Sequence, residues 1–412
     1  MSKRVLFILP RIPYPPRDGA EVVISQTLES LRKQGTNVDV FSLNPSRQHR
    51  QSNELTSRVP SSHVSNIDSD IAPLRLLIEL LSSPVYQIGE QKLSTSYWTS
   101  RFIDLNAARE LVEFVSINGP YDVVHCETLF TVFYGLYLRD NNPWKERTIR
   151  VVYRSHNVEW KIQDDLAASS HANLLNRYVR LRLAQQTMKY EIAVANLCDG
   201  IVCISERDAE WYRQNSRANV VSLLPGIAVT EPSGSVQIDL SIGFLGSLDW
   251  KPNAEGLAWF VKDVFPLIRQ AVPGVTLSVA GRSSARYRNR WDDADIQIIG
   301  EVPSAVDFIA RHTVMVAPVF SGSGIRIKLL EAFACGSVVV TTSKGAEGLG
   351  IENQRECFVA DTPELFASCC IRALTTADDR KLVGNNAIQF VQTHHSWSTN
   401  CKMLTAFYES II

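Results

Sequence analysis

The chain predicts an α/β fold of two Rossmann-like domains, on three observations. Its 412 residues exceed the roughly 250–300 at which single cores stop growing. Runs rich in Val, Ile and Leu alternate with helically spaced segments almost from end to end, the pattern of mainly parallel sheets covered by helices. The two halves share that texture and are separated by a polar stretch. The composition, 45% hydrophobic and 21% charged, excludes a disordered or collagen-like chain. A formal net charge of −1 argues against a dedicated nucleic-acid binder, which carries a basic excess.

The elements follow in order. VLFIL (5–9) is a continuous apolar run, as expected of a strand buried on both faces. The loop RIPYPPRDGA leads to EVVISQTLESLRKQG, helical in spacing and ended by Gly35. NVDVFSL is the next strand and completes a βαβ unit. Residues 48–70 are Ser-rich and polar and read as a mobile loop. Strands follow at YDVVHCE (121–127), RVVYRS (150–155) and DGIVCIS (199–205), with a long helix between the last two. The polar VTEPSGSVQ (229–237) separates a first domain, 1–228, from a second, 238–394. The second domain repeats the theme with SIGFLGSL, VTLSVAG, IQIIGEV, VMVAPV and VVVTTS, and the chain closes on three helical segments.

No apolar run reaches the ~18 residues of a membrane span. VLFIL, stopped by Pro10, is too short for a signal-peptide core. The eight cysteines form no C-x-x-C pair and mostly sit in apolar runs such as VVHCE and AFACG. There cysteine acts as a small hydrophobe, so a reduced, cytoplasmic protein is expected.

Chemistry concentrates in VMVAPVFSGSGIRIKLLEAFACG. The reading is a strand ending at Val319, a small flexible loop, and a helix from about Ile325 to Cys335. Gly322 and Gly324 let the backbone approach a ligand without a Cβ in the way. The helix N-terminus at Ile325 suits a phosphate. Arg326 and Lys328 add a two-pronged and a point cation. Glu331, an acid beside phosphate-binding cations, suits the hydroxyls of a ribose. The alternative is a solvated helix face with Lys328 and Glu331 paired at i, i+3. Lys251 is either a second phosphate cation or an exposed loop lysine.

In the first half, His156 and Glu127 stand at strand carboxyl ends, where ligands of such sheets bind. His156 either contacts substrate or caps a turn. Glu127 either binds an acceptor hydroxyl or acts as a weak base, or it caps the following helix. Asp68-Ser69-Asp70 and Asp293-Ala294-Asp295 have D-x-D spacing but read as solvated turns, so no metal site is expected. No zinc spacing, G-x-S-x-G elbow or G-x-G-x-x-G after the first strand is present. The segment with Arg177, Arg180, Arg182 and Lys189 is amphipathic. It reads as core packing with a basic solvated face, or as a surface for anionic lipid.

GSGIRIKLLEAFACG resembles the signature of glycosyltransferase family 4, whose members are retaining nucleotide-sugar transferases of GT-B fold. The resemblance implies two Rossmann-like domains facing across a cleft, with 395–412 crossing back to the first domain. In that family two glutamates flank seven residues. Glu331 matches the second, which contacts ribose; the first falls on Ser323, a departure that leaves the sugar contact to the backbone of Gly324 and Ile325. FLGSLDWKPNAEG resembles the start of the donor domain, with Ser247 where many relatives carry Arg. Arg326, with Lys251, then supplies the missing cation. IIGEVPS resembles the loop against the base, contacted through the backbone of Val302. Gly19 matches a loop glycine facing the donor phosphates, and His156 a histidine contacting the transferred sugar.

The resemblance implies transfer of a sugar from a nucleoside diphosphate sugar to an acceptor hydroxyl, with retention, in surface polysaccharide or glycoconjugate synthesis. No cofactor or metal is implied. The partners are the donor and a glycan or lipid-linked acceptor, with transient contact at the inner membrane face. Two alternatives stand: a nucleotide-sugar epimerase or hydrolase using Glu127 and His156, or a non-catalytic nucleotide-sugar binder.

Overall fold

A parallel strand covered on both faces needs apolar residues at successive positions, and the Val/Ile-rich runs of this chain fold accordingly. The computed structural model describes residues 4–168, 174–224, 226–227, 238–287, 291, 293–321 and 326–412. It divides into two units: Met1–Leu224 with Trp397–Ile412, and Pro225–Ser396.

The first unit contains strands β1 (Arg4–Leu9), β2 (Asn37–Pro45) and β3 (Ser62–Ile67), then an antiparallel hairpin of β4 (Val85–Ile88) and β5 (Gln91–Ser94). β6 (Val123–Glu127), β7 (Arg150–Ser155), β8 (Gly200–Cys203) and β9 (Asn219–Ser222) follow. Its seven-stranded sheet runs β3-β2-β1-β6-β7-β8-β9, all parallel. Strand order reverses between β1 and β6, which opens a crevice at their carboxyl ends. The helix Gly19–Lys33 starts where Asp18 accepts the Glu21 N–H at 3.0 Å, a side-chain cap. It stops before Gly35, whose φ of +82° suits glycine. The helix Trp397–Ile411 returns to this unit, burying Cys401, Leu404 and Tyr408 in one cluster with Val5, Phe7 and Val152.

The second unit holds β10 (Ile238–Leu245), β11 (Thr276–Ala280), β12 (Ile296–Gly300), β13 (His312–Ala317), β14 (Val338–Thr341) and β15 (Phe358–Val359). Its parallel sheet runs β12-β11-β10-β13-β14-β15, with its switch point between β10 and β13. The α/β class, with two parallel Rossmann-like sheets, is as the sequence predicts.

Residues 48–70 depart from the expected loop. They contain a short helix, Asn53–Thr56, and the edge strand β3. β3 pairs in parallel with β2, and side chains add to the ladder: Asn44 donates to Asn66 at 2.8 Å, and His63 stacks on Phe41. An edge strand needs only one covered side, so its polar sequence hid it.

Candidate active site

In the second unit, two glycines bring three loops together. A Cβ on Gly281 would lie 2.3 Å from the carbonyl oxygen of Gly246, so the turns after β10 and β11 touch. A Cβ on Gly256 would lie 1.6 Å from the Pro318 carbonyl, so the helix Lys251–Trp259 presses on the turn after β13. No other residue allows either approach.

Cations gather where these turns meet. A Cβ on Gly246 would lie 2.9 Å from Lys328 Nζ, which places the ammonium against the end of β10. Arg326 lies over the Trp250 ring at 5.2 Å and donates through Nη2 to the Ser321 carbonyl at 3.4 Å. Asn253 Nδ2 donates to the Ser247 carbonyl at 2.9 Å. Arg282 donates through Nε to Ser247 Oγ at 3.4 Å and pairs with Asp249 at 3.3 Å. Lys328 is exposed at the surface, with its ammonium set beside Gly246 and near Arg326 and Glu331. Desolvation by these surroundings lowers its pKa to about 8, with Glu331 opposing and Arg326 assisting. Burial also lowers the Arg326 pKa, against the pull of Glu347, and raises that of Glu331, against the pull of Lys328. All three groups are shifted toward their neutral forms, a pattern that clusters at functional sites.

Several expectations are refined here. The helix begins at Ile327, not Ile325, with Arg326 as its N-cap in a non-helical conformation. β13 ends at Ala317, ahead of Pro318, rather than at Val319. Among the described residues no ion pair joins Lys328 to Glu331, so the expected alternative of a paired helix face is not formed. Lys251 opens its helix and pairs with Glu255 at 3.4 Å. Val302 is half-buried in the turn after β12. Gly322, Ser323, Gly324 and Ile325 lie outside the described residues. Trp250, Asn253 and Arg282 escaped the sequence reading. Only the Gly-Ser of GSLDWKPN and the Gly-Arg of AGRSS, two parallel turns after adjacent strands, could have signalled them.

In the first unit, β6 and β7 pair Glu127 with Arg154 in register. Glu127 is fully buried and does not cap the next helix; Thr131 holds that position. Its Oε2 lies 2.7 Å from His156 Nε2, and its Oε1 lies 3.5 Å from Arg154 Nη1 and 3.4 Å from His125 Nε2. Burial alone would raise its pKa. Arg154 and the two histidines outweigh burial and hold the carboxyl well below its usual range. An ionised carboxylate only accepts, so His156 donates from Nε2 and, when neutral, keeps its lone pair on Nδ1. His125 Nδ1 in turn meets the Tyr408 hydroxyl at 2.7 Å.

His156 lines a cavity of about 480 Å³ at the carboxyl ends of β1, β2, β3, β6 and β7, together with Arg47, Trp98, Arg101, Phe130 and Glu159. Gly19 is the first residue of the helix whose Ala20 borders this cavity. Burial, then the charge of Glu191, raises Glu159 to about 8; a bond from Trp98 opposes the shift. Burial also raises Glu191 to about 7, against bonds from the Tyr212 hydroxyl and the N–H groups of Glu159 and Trp160. The two acidic triplets form turns: Ser46 Oγ donates to Asp68 and Asp70, and Arg269 pairs with Asp293 and Asp295.

Comparison with known proteins adds the rest. Residues 17–230 match the family model described as Glycosyltransferase Family 4, and residues 239–376 match Glycosyl transferases group 1. An uncharacterised 44.6 kDa protein in the cps region of Klebsiella pneumoniae is 22% identical over 408 residues, covering 95% of this chain and 96% of that one. The sucrose-phosphate synthase of Thermosynechococcus elongatus superposes with a TM-score of 0.65 at 15% identity, covering 99% of each chain. Anabaena Alr3699/HepE, solved in complex with UDP-glucose, gives 0.62 at 14% identity, also covering 99% of each.

Proposed function

Since this chain belongs to glycosyltransferase family 4 and has the GT-B fold, we propose that it transfers a sugar from a nucleoside diphosphate sugar to an acceptor hydroxyl with retention at the anomeric carbon. The observation that carries this reading is the meeting of the turns after β10 and β13, where Lys328, Arg326 and Glu331 converge. The bond between the anomeric carbon and the diphosphate oxygen breaks, and negative charge grows on the diphosphate. Lys328 and Arg326, with Arg282 and Lys251 at the rim, stabilise that charge by preorganised electrostatics. Glu331 accepts from the ribose hydroxyls, and the backbone of Val302 contacts the base. The acceptor oxygen forms the new bond on the same face, and its proton passes to the departing phosphate. His156, oriented by Glu127, serves the transferred sugar, and Gly19 and Ser247 keep the donor's approach open. The cations supply the charge a metal would otherwise bring, so no divalent ion is needed.

The acceptor in this reading is a glycan or a lipid-linked sugar in surface polysaccharide or glycoconjugate synthesis, made at the inner membrane face. Support for membrane contact comes from the helix Pro73–Leu81. It turns Leu74, Leu77, Ile78 and Leu81 outward at helical spacing, with Leu74 and Leu81 71% and 77% exposed. It packs on the helix Leu174–Ala195 through Arg182 and Gln186, and Leu174, Leu175 and Arg177 of that helix are also exposed. Apolar side chains beside a cation suit an anionic bilayer.

Two measurements test the proposal. Product formed from an α-linked donor should keep the α configuration by proton NMR; an inverted product would refute retention. Glu331→Ala should weaken binding of the free nucleoside diphosphate by about 1.5–3 kcal/mol, the range for a charge-assisted hydrogen bond. Unchanged affinity in a folded variant would remove the ribose role. The Glu127–His156 pair favours one second reading, a hydrolase or epimerase acting through a base. Rapid loss or isomerisation of donor without acceptor would select it.

A further inference from the structure

The cavity in the first unit has a charge pattern that names its ligand's chemistry. Arg101 is 6% exposed, and Nε and Nη2 both donate to one acceptor, the Ser69 carbonyl, at 2.9 and 2.5 Å. A guanidinium carries five N–H groups, so three remain beyond those bonds. No carboxylate among the described residues lies within ion-pair distance of Arg101 or Arg47. The two arginines nevertheless stand close enough that Arg47 opposes the charge on Arg101. Asp70 acts on Arg101 only at longer range and is engaged by Ser46. Arg11, the third arginine of the lining, is by contrast neutralised by Asp18 and Glu21.

The acid of the lining does not cancel this excess. Glu159 shares its buried surroundings with Glu191, so its proton is retained near neutrality. Glu127 lies behind His156 and is matched by Arg154. Two like charges in a recess cost energy unless an anion arrives between them. Around them stand flat apolar faces: Trp98 and Phe102 each lie within 5.8 Å of the Arg101 guanidinium, and Phe130 packs on Phe102 at 4.5 Å. Aromatic faces beside hydrogen-bonding groups suit a sugar ring, and paired guanidinium groups suit an oxyanion.

The geometry points to an acceptor site for a sugar bearing a carboxylate or a phosphate, with Arg47 and Arg101 on the oxyanion and Trp98, Phe102 and Phe130 against the ring. It rests on the transferase reading only in taking the bound sugar to be the acceptor. The shared chemistry is the oxyanion; a uronic acid and a sugar phosphate are its two sources.

Calorimetric titration of the full chain without donor tests it, using methyl glucuronide, glucose 6-phosphate and methyl glucoside. At least one anionic sugar should bind tenfold or more tighter than the neutral glucoside, and the preferred anion identifies the source. Arg47→Gln, at an exposed position, should fold normally and erase most of that preference. Arg101→Gln should erase it as well, with its melting temperature checked. Equal binding of all three sugars, no binding of any, or a preference that survives in Arg47→Gln would overturn the inference. Titration with UDP, GDP, ADP and TDP on the same sample separates the two readings. Nucleotide binding without anionic-sugar binding sinks this proposal alone; anionic-sugar binding with no nucleotide binding sinks the transferase reading instead.

Discussion

At the scale of single residues, Lys328 and Arg326 approach the group whose charge grows during bond cleavage. Their contacts therefore tighten in the transition state. Replacing either by Ala should lower kcat by about 10²–10³, more than it raises KM for the donor. Arg326→Lys should recover only part, because an ammonium cannot form two parallel bonds or stack as well on Trp250. Steady-state kinetics decide: a pure KM effect would make the cations ground-state binders. Glu159 permits a second prediction. Its pKa rises from 4.5 to about 8 on folding, so between those values the folded state holds a proton the unfolded state has lost. Stability from this group is present below pH 4.5 and declines as pH climbs toward 8. Thermal melts of Glu159→Gln should fall less between pH 6 and 8 than those of the parent; parallel curves would remove Glu159 as the cause. Lys328, Arg326 and Glu331 were legible in the sequence because glycines, cations and an acid share one segment. Their partners Trp250, Asn253 and Arg282 were not, because they arrive from turns that meet only after the sheet forms.

At the scale of elements, what could be read depended on burial. Strands that open on apolar runs and are buried along almost their whole length, such as β1 and β6, announce themselves. β3, β9 and β15 lie at sheet edges and are polar, half-buried or only two residues long, so periodicity had little to act on. Glu127 and His156 were each placed at a strand end. Their 2.7 Å contact needed β6 and β7 to be neighbours, which sheet order alone decides. The helix Pro73–Leu81 partly inverts the usual rule, keeping Glu79 buried beside Arg75 and Leu80 while Leu74, Leu77, Ile78 and Leu81 face out. Changing Leu74 and Leu81 to Ser should leave the melting temperature nearly unaltered, since both are exposed. Co-sedimentation with phosphatidylglycerol vesicles should drop several-fold, each buried CH₂ being worth about 0.8 kcal/mol. Undiminished sedimentation would place any membrane contact elsewhere.

At the scale of the whole molecule, the chemistry divides by unit. Cations and an acid gather in the second, and a buried His–Glu pair with a large cavity sits in the first. If the cations do a metal's work, turnover should survive saturating EDTA with little change in rate. Complete loss, restored by Mn²⁺ or Mg²⁺, would show that the charge on the diphosphate is met otherwise. The first unit is also discontinuous, and this shapes how the protein is made. During translation its sheet emerges first, but Cys401, Leu404 and Tyr408, which complete its core, wait until the entire second unit has been synthesised. Domains fold as units in the order they emerge. Here the later-made unit is the first that can finish. Until the helix Trp397–Ile411 leaves the ribosome, the nascent chain exposes the groove around Val5, Phe7 and Gly200 to chaperones and to its own neighbours.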